Sequence, residues 1–218
     1  RVLDADPRDA PASLRVVLVG GGPVPAPLLE RAMGRGFPVI QTYGLTETCS
    51  QVTTLEVSEA RRKVGSVGRP LLTSHLRILD GEILVQGPTV GPGLADEDGW
   101  LHTGDLGRID DEGFLYVEDR LDDVIVTGGE NVVPSEVEDV LLRHPGVAEA
   151  AAVARPDPEW QQAVTAVVVL RDGAQASADE LRRHCASSLA GHKVPREIRF
   201  VDDLPRTPSG KLDRKALR

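Results

Sequence analysis

The stretch Leu14-Arg15-Val16-Val17-Leu18-Val19, running into Gly20-Gly21-Gly22 and then into an apolar pattern at residues 28–33, decides the fold class. Its first six residues are mostly apolar and β-branched, which predicts a strand; the glycines predict a turn, and residues 28–33 a helix. Pro25 and Pro27 suit the first helical turn, where a missing N–H is no loss, and Gly34 and Gly36 suit its end. Phe37-Pro38-Val39-Ile40 then resumes a strand, so the opening reads as an α/β piece.

Working outward, the texture changes from residue 64 to short strands and turns. Residues 76–79 and 82–85 pair through Asp80-Gly81, a dipeptide suited to a tight hairpin, and residues 109–117 repeat the device around Asp110-Asp111-Glu112-Gly113. A small β subdomain follows. The charged run Glu118-Asp119-Arg120-Leu121-Asp122-Asp123 breaks the pattern and marks a domain junction near Asp122. Beyond it we expect a strand at 123–127 and a helix opened by a capping box, Ser135-Glu136-Val137-Glu138, reaching His144. Strands at 150–154 and 163–170 come next. Ser177-Ala178-Asp179-Glu180 opens a second capped helix that Gly191 closes, and residues 197–201 form a last strand. The expected organisation is therefore an α/β piece plus small β subdomain over 1–121, then a compact α+β domain over 122–218.

Composition narrows the function classes. With 40% hydrophobic and 27% charged residues the 218-residue chain is globular in type, and its net charge of -9 disfavours nonspecific nucleic-acid binding, which needs many cations on phosphates. The longest apolar run, around 164–170, is interrupted by Thr165 and falls far short of the roughly 20 residues that span a bilayer. Cys49 and Cys185 are too few for a disulfide framework and lack metal-ligand spacing, so two ordinary thiols in a reducing, cytoplasmic setting are expected. The sequence opens Arg1-Val2-Leu3-Asp4, with no methionine or targeting pattern, and is expected to be the C-terminal portion of something longer.

Five motifs carry chemistry. The Gly20-Gly21-Gly22 triplet between strand and helix lets backbone approach a ligand closely, although alone it needs no explanation beyond a turn. Gln41-Thr42-Tyr43-Gly44-Leu45-Thr46-Glu47-Thr48 combines an aromatic, a glycine, hydroxyls and a carboxylate at a strand end. Trp100-Leu101-His102-Thr103-Gly104-Asp105, Asp119-Arg120-Leu121-Asp122-Asp123 with Gly128-Gly129-Glu130-Asn131, and Leu204-Pro205-Arg206-Thr207-Pro208-Ser209-Gly210-Lys211-Leu212 follow in turn. In this order and spacing they resemble the signatures of the adenylate-forming (acyl-CoA synthetase/ligase) superfamily, over essentially the whole chain. The resemblance implies the C-terminal part of a large AMP-binding domain followed by a small mobile domain. It also implies that Gly21, Gly22 and Pro23 border the nucleotide, that Tyr43 stacks on adenine, that Thr46 reaches the α-phosphate and that Glu47 helps hold Mg²⁺. By the same resemblance Asp105 accepts hydrogen bonds from the ribose hydroxyls, Arg120 contacts ribose and phosphate, and Lys211 enters the site during adenylation. Gly128 and Gly129 would face the pantetheine of coenzyme A, and Asp122 would be the hinge. The residue chemistry agrees, since a ring face suits a purine, a carboxylate suits Mg²⁺, and an acceptor-only group suits two hydroxyls.

Cys49-Ser50-Gln51, with Gly128-Gly129-Glu130-Asn131 and His192-Lys193-Val194-Pro195, is similar to the o-succinylbenzoate:CoA ligases of menaquinone biosynthesis. ATP, Mg²⁺, coenzyme A and a small carboxylic acid are the implied cofactors and partners, with no nucleic acid and no membrane insertion; a homo-oligomer is left open. Another acyl- or aryl-CoA synthetase, a carrier-protein-loading adenylation domain, and a non-catalytic nucleotide-binding fragment are the competing readings. The Ser/Thr/Gly-rich loop ending in lysine that grips β- and γ-phosphates in this superfamily is not in the sequence and is expected upstream. Gly91-Pro92-Gly93-Leu94 departs from an Asn-Gly-Tyr-like turn of many relatives, leaving that loop's geometry open.

Overall fold

The computed structural model describes residues 2–218. The chain divides into two compact units, the first running to Glu118 and the second from Asp119 to Arg218.

In the first unit a short helix α1 (Val2–Ala5) precedes strand β1 (Val17–Val19), helix α2 (Ala26–Gly34) and strand β2 (Val39–Gly44). β1 is half the length expected, because the Leu14 N–H bonds the Pro11 carbonyl at 2.9 Å and so closes a turn. β1 and β2 run parallel with Val17 opposite Val39, and α2 forms the crossover between them. Pro25 caps α2, Pro27 lies in its first turn, and Gly36, at φ +75°, follows its end. Strands β3 (Gln51–Thr54) and β4 (Arg69–Pro70) complete a sheet of order β1-β2-β3-β4.

A second sheet takes β5 (His75–Leu79), β6 (Glu82–Gln86), β7 (Leu101–Ile109) and β8 (Leu115–Arg120) in simple meander order. Asp80 and Gly81 have φ of +50° and +86°, the paired positive values a two-residue hairpin of this twist requires. Val52, Val67, Ile83, Val85, Leu101 and Leu115 form the apolar core of this region, with Tyr43 half-buried against it.

The second unit opens with a 3₁₀ turn, Leu121–Asp123, where a strand was expected to begin; the strand β9 is only Ile125–Thr127. It pairs with β10 (Glu130–Val132) through Gly128-Gly129. Helix α3 (Pro134–Leu142), strands β11 (Val147–Asp157) and β12 (Gln161–Leu170), helix α4 (Ala178–Ala186) and strand β13 (Glu197–Phe200) follow. β11 and β12 are antiparallel, β12 and β13 parallel. The apolar run at 164–170 is explained by its central place: Val164, Ala166 and Val168 face a core with Leu141, Leu181 and Cys185, while Val167 faces another with Val153, Leu204 and Leu217. A strand covered on both faces has no reason to alternate with polar residues.

Two expected caps come out differently. Ser177 accepts the Glu180 N–H at 3.2 Å, as a cap of α4 should. Ser135 is not a cap: Pro134 starts α3 and Val133 precedes it, so Ser135 lies within the first turn. Its N–H is satisfied by Asp119 Oδ2 at 2.9 Å, and Glu138 turns inward instead of back along the helix. Nor does Gly191 close α4, which ends at Ala186; Gly191 begins the 3₁₀ turn Gly191–Lys193.

Candidate active site

In the first unit the candidate residues gather where β2 leaves its sheet. Pairing is irregular between Tyr43 and Gly44, and a Cβ on Gly44 would lie 2.2 Å from the Ser50 carbonyl oxygen, so only glycine lets the chain turn out here. The emerging segment forms a 3₁₀ turn, Thr46–Thr48. Thr48 is its buried pin, accepting the Leu45 N–H at 3.0 Å and donating to the Ser50 carbonyl at 2.8 Å. Thr46 and Glu47 stay exposed on that turn, with their polar groups available to a ligand.

Tyr43 and Asp105, 62 residues apart, meet directly: the phenol donates to Asp105 Oδ2 at 2.7 Å. Asp105 lies on β7 and is 7% exposed, so its carboxylate is held in place before any ligand arrives. Glu82 braces the strand just before it, accepting the Gly104 N–H at 2.8 Å and pairing with His102 Nδ1 at 2.8 Å. The hydrogen bond to Glu82 raises the His102 pKa above the usual histidine value, which favours its cationic form. Glu82 does not stand out in the sequence, because a carboxylate in a hairpin is ordinarily read as a solvated charge, and His102 lies within a motif whose only expected contact was Asp105.

Gly21, Gly22 and Pro23 form the exposed loop between β1 and α2. Gly20 packs so closely on Thr42 that an added Cβ would fall 2.6 Å from Cγ2, which brings this loop against the residue before Tyr43. Gly91, in the loop whose geometry the sequence left open, donates its N–H to the Glu47 carbonyl at 2.8 Å; Leu94 N–H to Gly91 carbonyl at 3.2 Å closes the turn. This brace on Glu47 escaped the sequence reading, since a backbone contact carries no residue signature. Among the described residues no group of three or more His, Cys, Asp or Glu could hold a metal. A lone carboxylate such as Glu47 still fits Mg²⁺, which commonly takes one or two carboxylates alongside substrate phosphates and waters.

The remaining candidates belong to the second unit. Arg120 is exposed at the end of β8, its N–H bonded to Asp119 Oδ1 at 2.9 Å. Asp122 is exposed in the 3₁₀ turn, and its carbonyl accepts Arg218 Nη2 at 3.2 Å. Gly128 and Gly129 have φ of +58° and +84°, and Gly128 lies so flat on the Trp160 ring that a Cβ would be 2.2 Å from Cε3. Lys211 is exposed beside Gly210, which has φ +82°, and its carbonyl accepts the Thr207 N–H at 2.8 Å. Cys49 is exposed, Cys185 buried, and both are free thiols. Among the described residues no helix is long and apolar enough to cross a membrane.

Comparison with known proteins bears on this arrangement. The AMP-binding enzyme family model matches residues 1–94 and the AMP-binding enzyme C-terminal domain model matches residues 136–211. The chain is 47% identical to the 2-succinylbenzoate--CoA ligase of Bacillus cereus over 227 residues, covering 95% of this chain and 47% of that protein. It superposes on the o-succinylbenzoate CoA synthetase of Bacillus subtilis, solved in complex with the acyl-adenylate intermediate OSB-AMP, with a TM-score of 0.87 at 44% identity, covering 100% of this chain and 48% of that one. An amide bond synthetase from Marinactinospora thermotolerans gives a TM-score of 0.86 at 34% identity over 94% of this chain and 46% of its own. The chain thus spans about half the length of the relatives it matches. Two family models matched in order along one polypeptide, with a mixed α/β fold shared with a 44%-identical structure, show that the chain belongs to the AMP-binding enzyme family.

Proposed function

We propose that the protein carrying this chain is an ATP-dependent, AMP-forming acid:CoA ligase, and that its acid is o-succinylbenzoate. The observation that carries the reading is the 2.7 Å hydrogen bond between Tyr43 and the buried Asp105, which sets an aromatic face and an acceptor-only carboxylate side by side, as adenine and ribose would need. The names of the Bacillus relatives support the choice of acid. In domain terms, residues 1–121 would be the C-terminal part of the large AMP-binding domain and 122–218 the small C-terminal domain, a reading supported by the division of the chain near Glu118.

The first half-reaction joins the substrate carboxylate to the α-phosphorus of ATP and releases pyrophosphate. The carboxylate is already ionised at pH 7, so alignment and charge neutralisation suffice and no nucleophilic side chain is needed. Gly21, Gly22 and Pro23 border the nucleotide, Tyr43 stacks on adenine, Asp105 and Arg120 hold the ribose, Thr46 contacts the α-phosphate, and Lys211 supplies positive charge. Bound Mg²⁺, held through Glu47, would neutralise phosphate charge. In the second half-reaction the CoA thiolate attacks the adenylate carbonyl and AMP leaves; Gly128 and Gly129 give room to pantetheine, and Asp122 is the hinge that exchanges the two roles.

The test uses the protein with its upstream region present. Lys211→Ala should lose pyrophosphate release while still converting supplied acyl-adenylate and CoA to thioester, and wild type should prefer o-succinylbenzoate by kcat/KM over aryl and fatty acids. Equal loss in both half-reactions would reject the role of Lys211, and preference for a fatty acid would reject the substrate.

A further inference from the structure

Lys211 is exposed, yet the chain on either side of it is fastened inward. Arg206 and Leu212 form an isolated bridge, the Gly210 N–H bonds the Thr207 carbonyl at 2.8 Å, and the Asp213 N–H bonds the Pro205 carbonyl at 2.9 Å. Leu212 packs on a cluster that includes Val153, Val167 and Leu217. Three residues beyond the lysine the chain sends one cation inside. The Arg214 side chain is 12% exposed and the Glu138 side chain 13%. The guanidinium grips Glu138 through both terminal nitrogens, Nη2 to Oε2 at 3.0 Å, and donates from Nη1 to the Ala152 carbonyl at 3.0 Å. Glu138 in turn accepts the Ala152 N–H at 2.7 Å, so α3, β11 and the C-terminal segment share one node.

The node also reaches the turn that holds Asp122. Arg214 Nε lies 3.5 Å from Asp123 Oδ2, and Arg218 bonds Asp123 Oδ1 and the Asp122 carbonyl. A planar fork to a carboxylate fixes direction as well as distance. A buried ion pair is an inefficient source of stability, since desolvation offsets much of its attraction. Fixing geometry is what this one does well.

We propose that Arg214 is a positioning residue for Lys211: it clamps the stalk of the lysine loop to Glu138 and to Asp123, beside the hinge, so that the ammonium is presented in one orientation. The proposal rests on the ligase reading above, and its test separates the two. In the protein with its upstream region, Arg214→Met and the charge-retaining Arg214→Lys are assayed for pyrophosphate release from ATP and o-succinylbenzoate, and for thioester formation from supplied acyl-adenylate. Adenylation should slow by roughly 10- to 100-fold through kcat, the scale expected when a reacting group is displaced by about an ångström. KM for ATP and thioester formation should hold. In a Lys211→Ala background Arg214→Met should cause no further loss of adenylation, because a residue acting through another is not additive with it. In the same protein, trypsin should cut after Lys211 faster in Arg214→Met than in wild type. Equal loss in both half-reactions, or full additivity with Lys211→Ala, overturns the proposal. If wild type makes no adenylate, the ligase reading fails instead, and an unchanged cleavage rate after Lys211 then overturns the clamp by itself.

Discussion

At the scale of single residues, the Tyr43–Asp105 contact alters what a conservative substitution should do. Stacking requires only the ring, so Phe would be interchangeable with Tyr if the ring were all that mattered. The phenol, however, also orients a buried carboxylate. Tyr43→Ala should weaken ATP binding by roughly 1–3 kcal/mol, as loss of a base-stacking aromatic does. Tyr43→Phe should keep the stack and lose about 0.5–1.5 kcal/mol for the missing hydrogen bond. Calorimetric titration of ATP into the protein with its upstream region checks both, and an alanine variant that binds like wild type removes Tyr43 from the site. The motif around Tyr43 was legible because aromatic, glycine, hydroxyl and carboxylate are adjacent in the chain. Its partnership with Asp105 spans 62 residues and was not, and the bracing by Glu82 and Gly91 was hidden for the same reason.

Among elements, the two helix starts show how far local sequence can be trusted. Both Ser135-x-x-Glu138 and Ser177-x-x-Glu180 have the pattern of a cap, but the first follows Pro134. Proline at the first helical position moves the start of α3 one residue ahead of the serine, and Asp119, distant in sequence, takes the N–H that a cap would have held. Glu138 is then free to face the interior, where burial raises its pKa against the pull of Arg214. Burial also penalises the Arg214 cation, but its hydrogen bond to Glu138 and the charges of Glu138, Asp119 and Asp123 outweigh that and keep it protonated. Ser177→Ala should therefore destabilise by about 1 kcal/mol, the usual cost of a lost N-cap. Ser135→Ala should cost distinctly less, because Val133 and not Ser135 occupies the N-cap position of α3. Denaturant melts of the two variants give the comparison, and equal losses would restore Ser135 as a cap. Hairpins were more legible than caps: Asp80-Gly81 encodes its own positive φ with no help from distant residues, although the β9–β10 hairpin through Gly128-Gly129 was not expected.

Over the whole molecule, 34 acidic and 25 basic residues give a net charge of -9, and lowering the pH first relieves that excess. A few carboxylates oppose the trend because folding has already found them a cation. Lys63 Nζ bonds Asp110 Oδ2 at 2.7 Å and Glu112 Oε1 at 2.6 Å, over the buried Phe114 ring at 4.8 Å, and Arg62 bonds both oxygens of Glu112 at 2.7 Å. Lys63 and the Phe114 and Glu112 N–H groups hold Asp110 down at about 2, while Arg62 and then Lys63 hold Glu112 at about 2; Lys63 itself is raised. Carboxyl pKa values lower in the folded state than in the unfolded chain mean that the unfolded chain takes up protons first as acid is added. The stabilisation from this cluster is therefore complete above the ordinary values of 3.8 and 4.5, and is lost as the pH falls from there toward about 2. Lys63→Met keeps an apolar stem against Phe114 but removes the cation. Its destabilisation relative to wild type should be constant from neutral pH down to the ordinary carboxylate range, shrink below it, and be small once the pH reaches about 2. Urea unfolding of the pair at several pH values measures that difference directly and cancels the molecule-wide charge, which changes almost equally in both. A difference that stays undiminished at the acid end would mean that Lys63 acts through its packing on Phe114 and not through its charge.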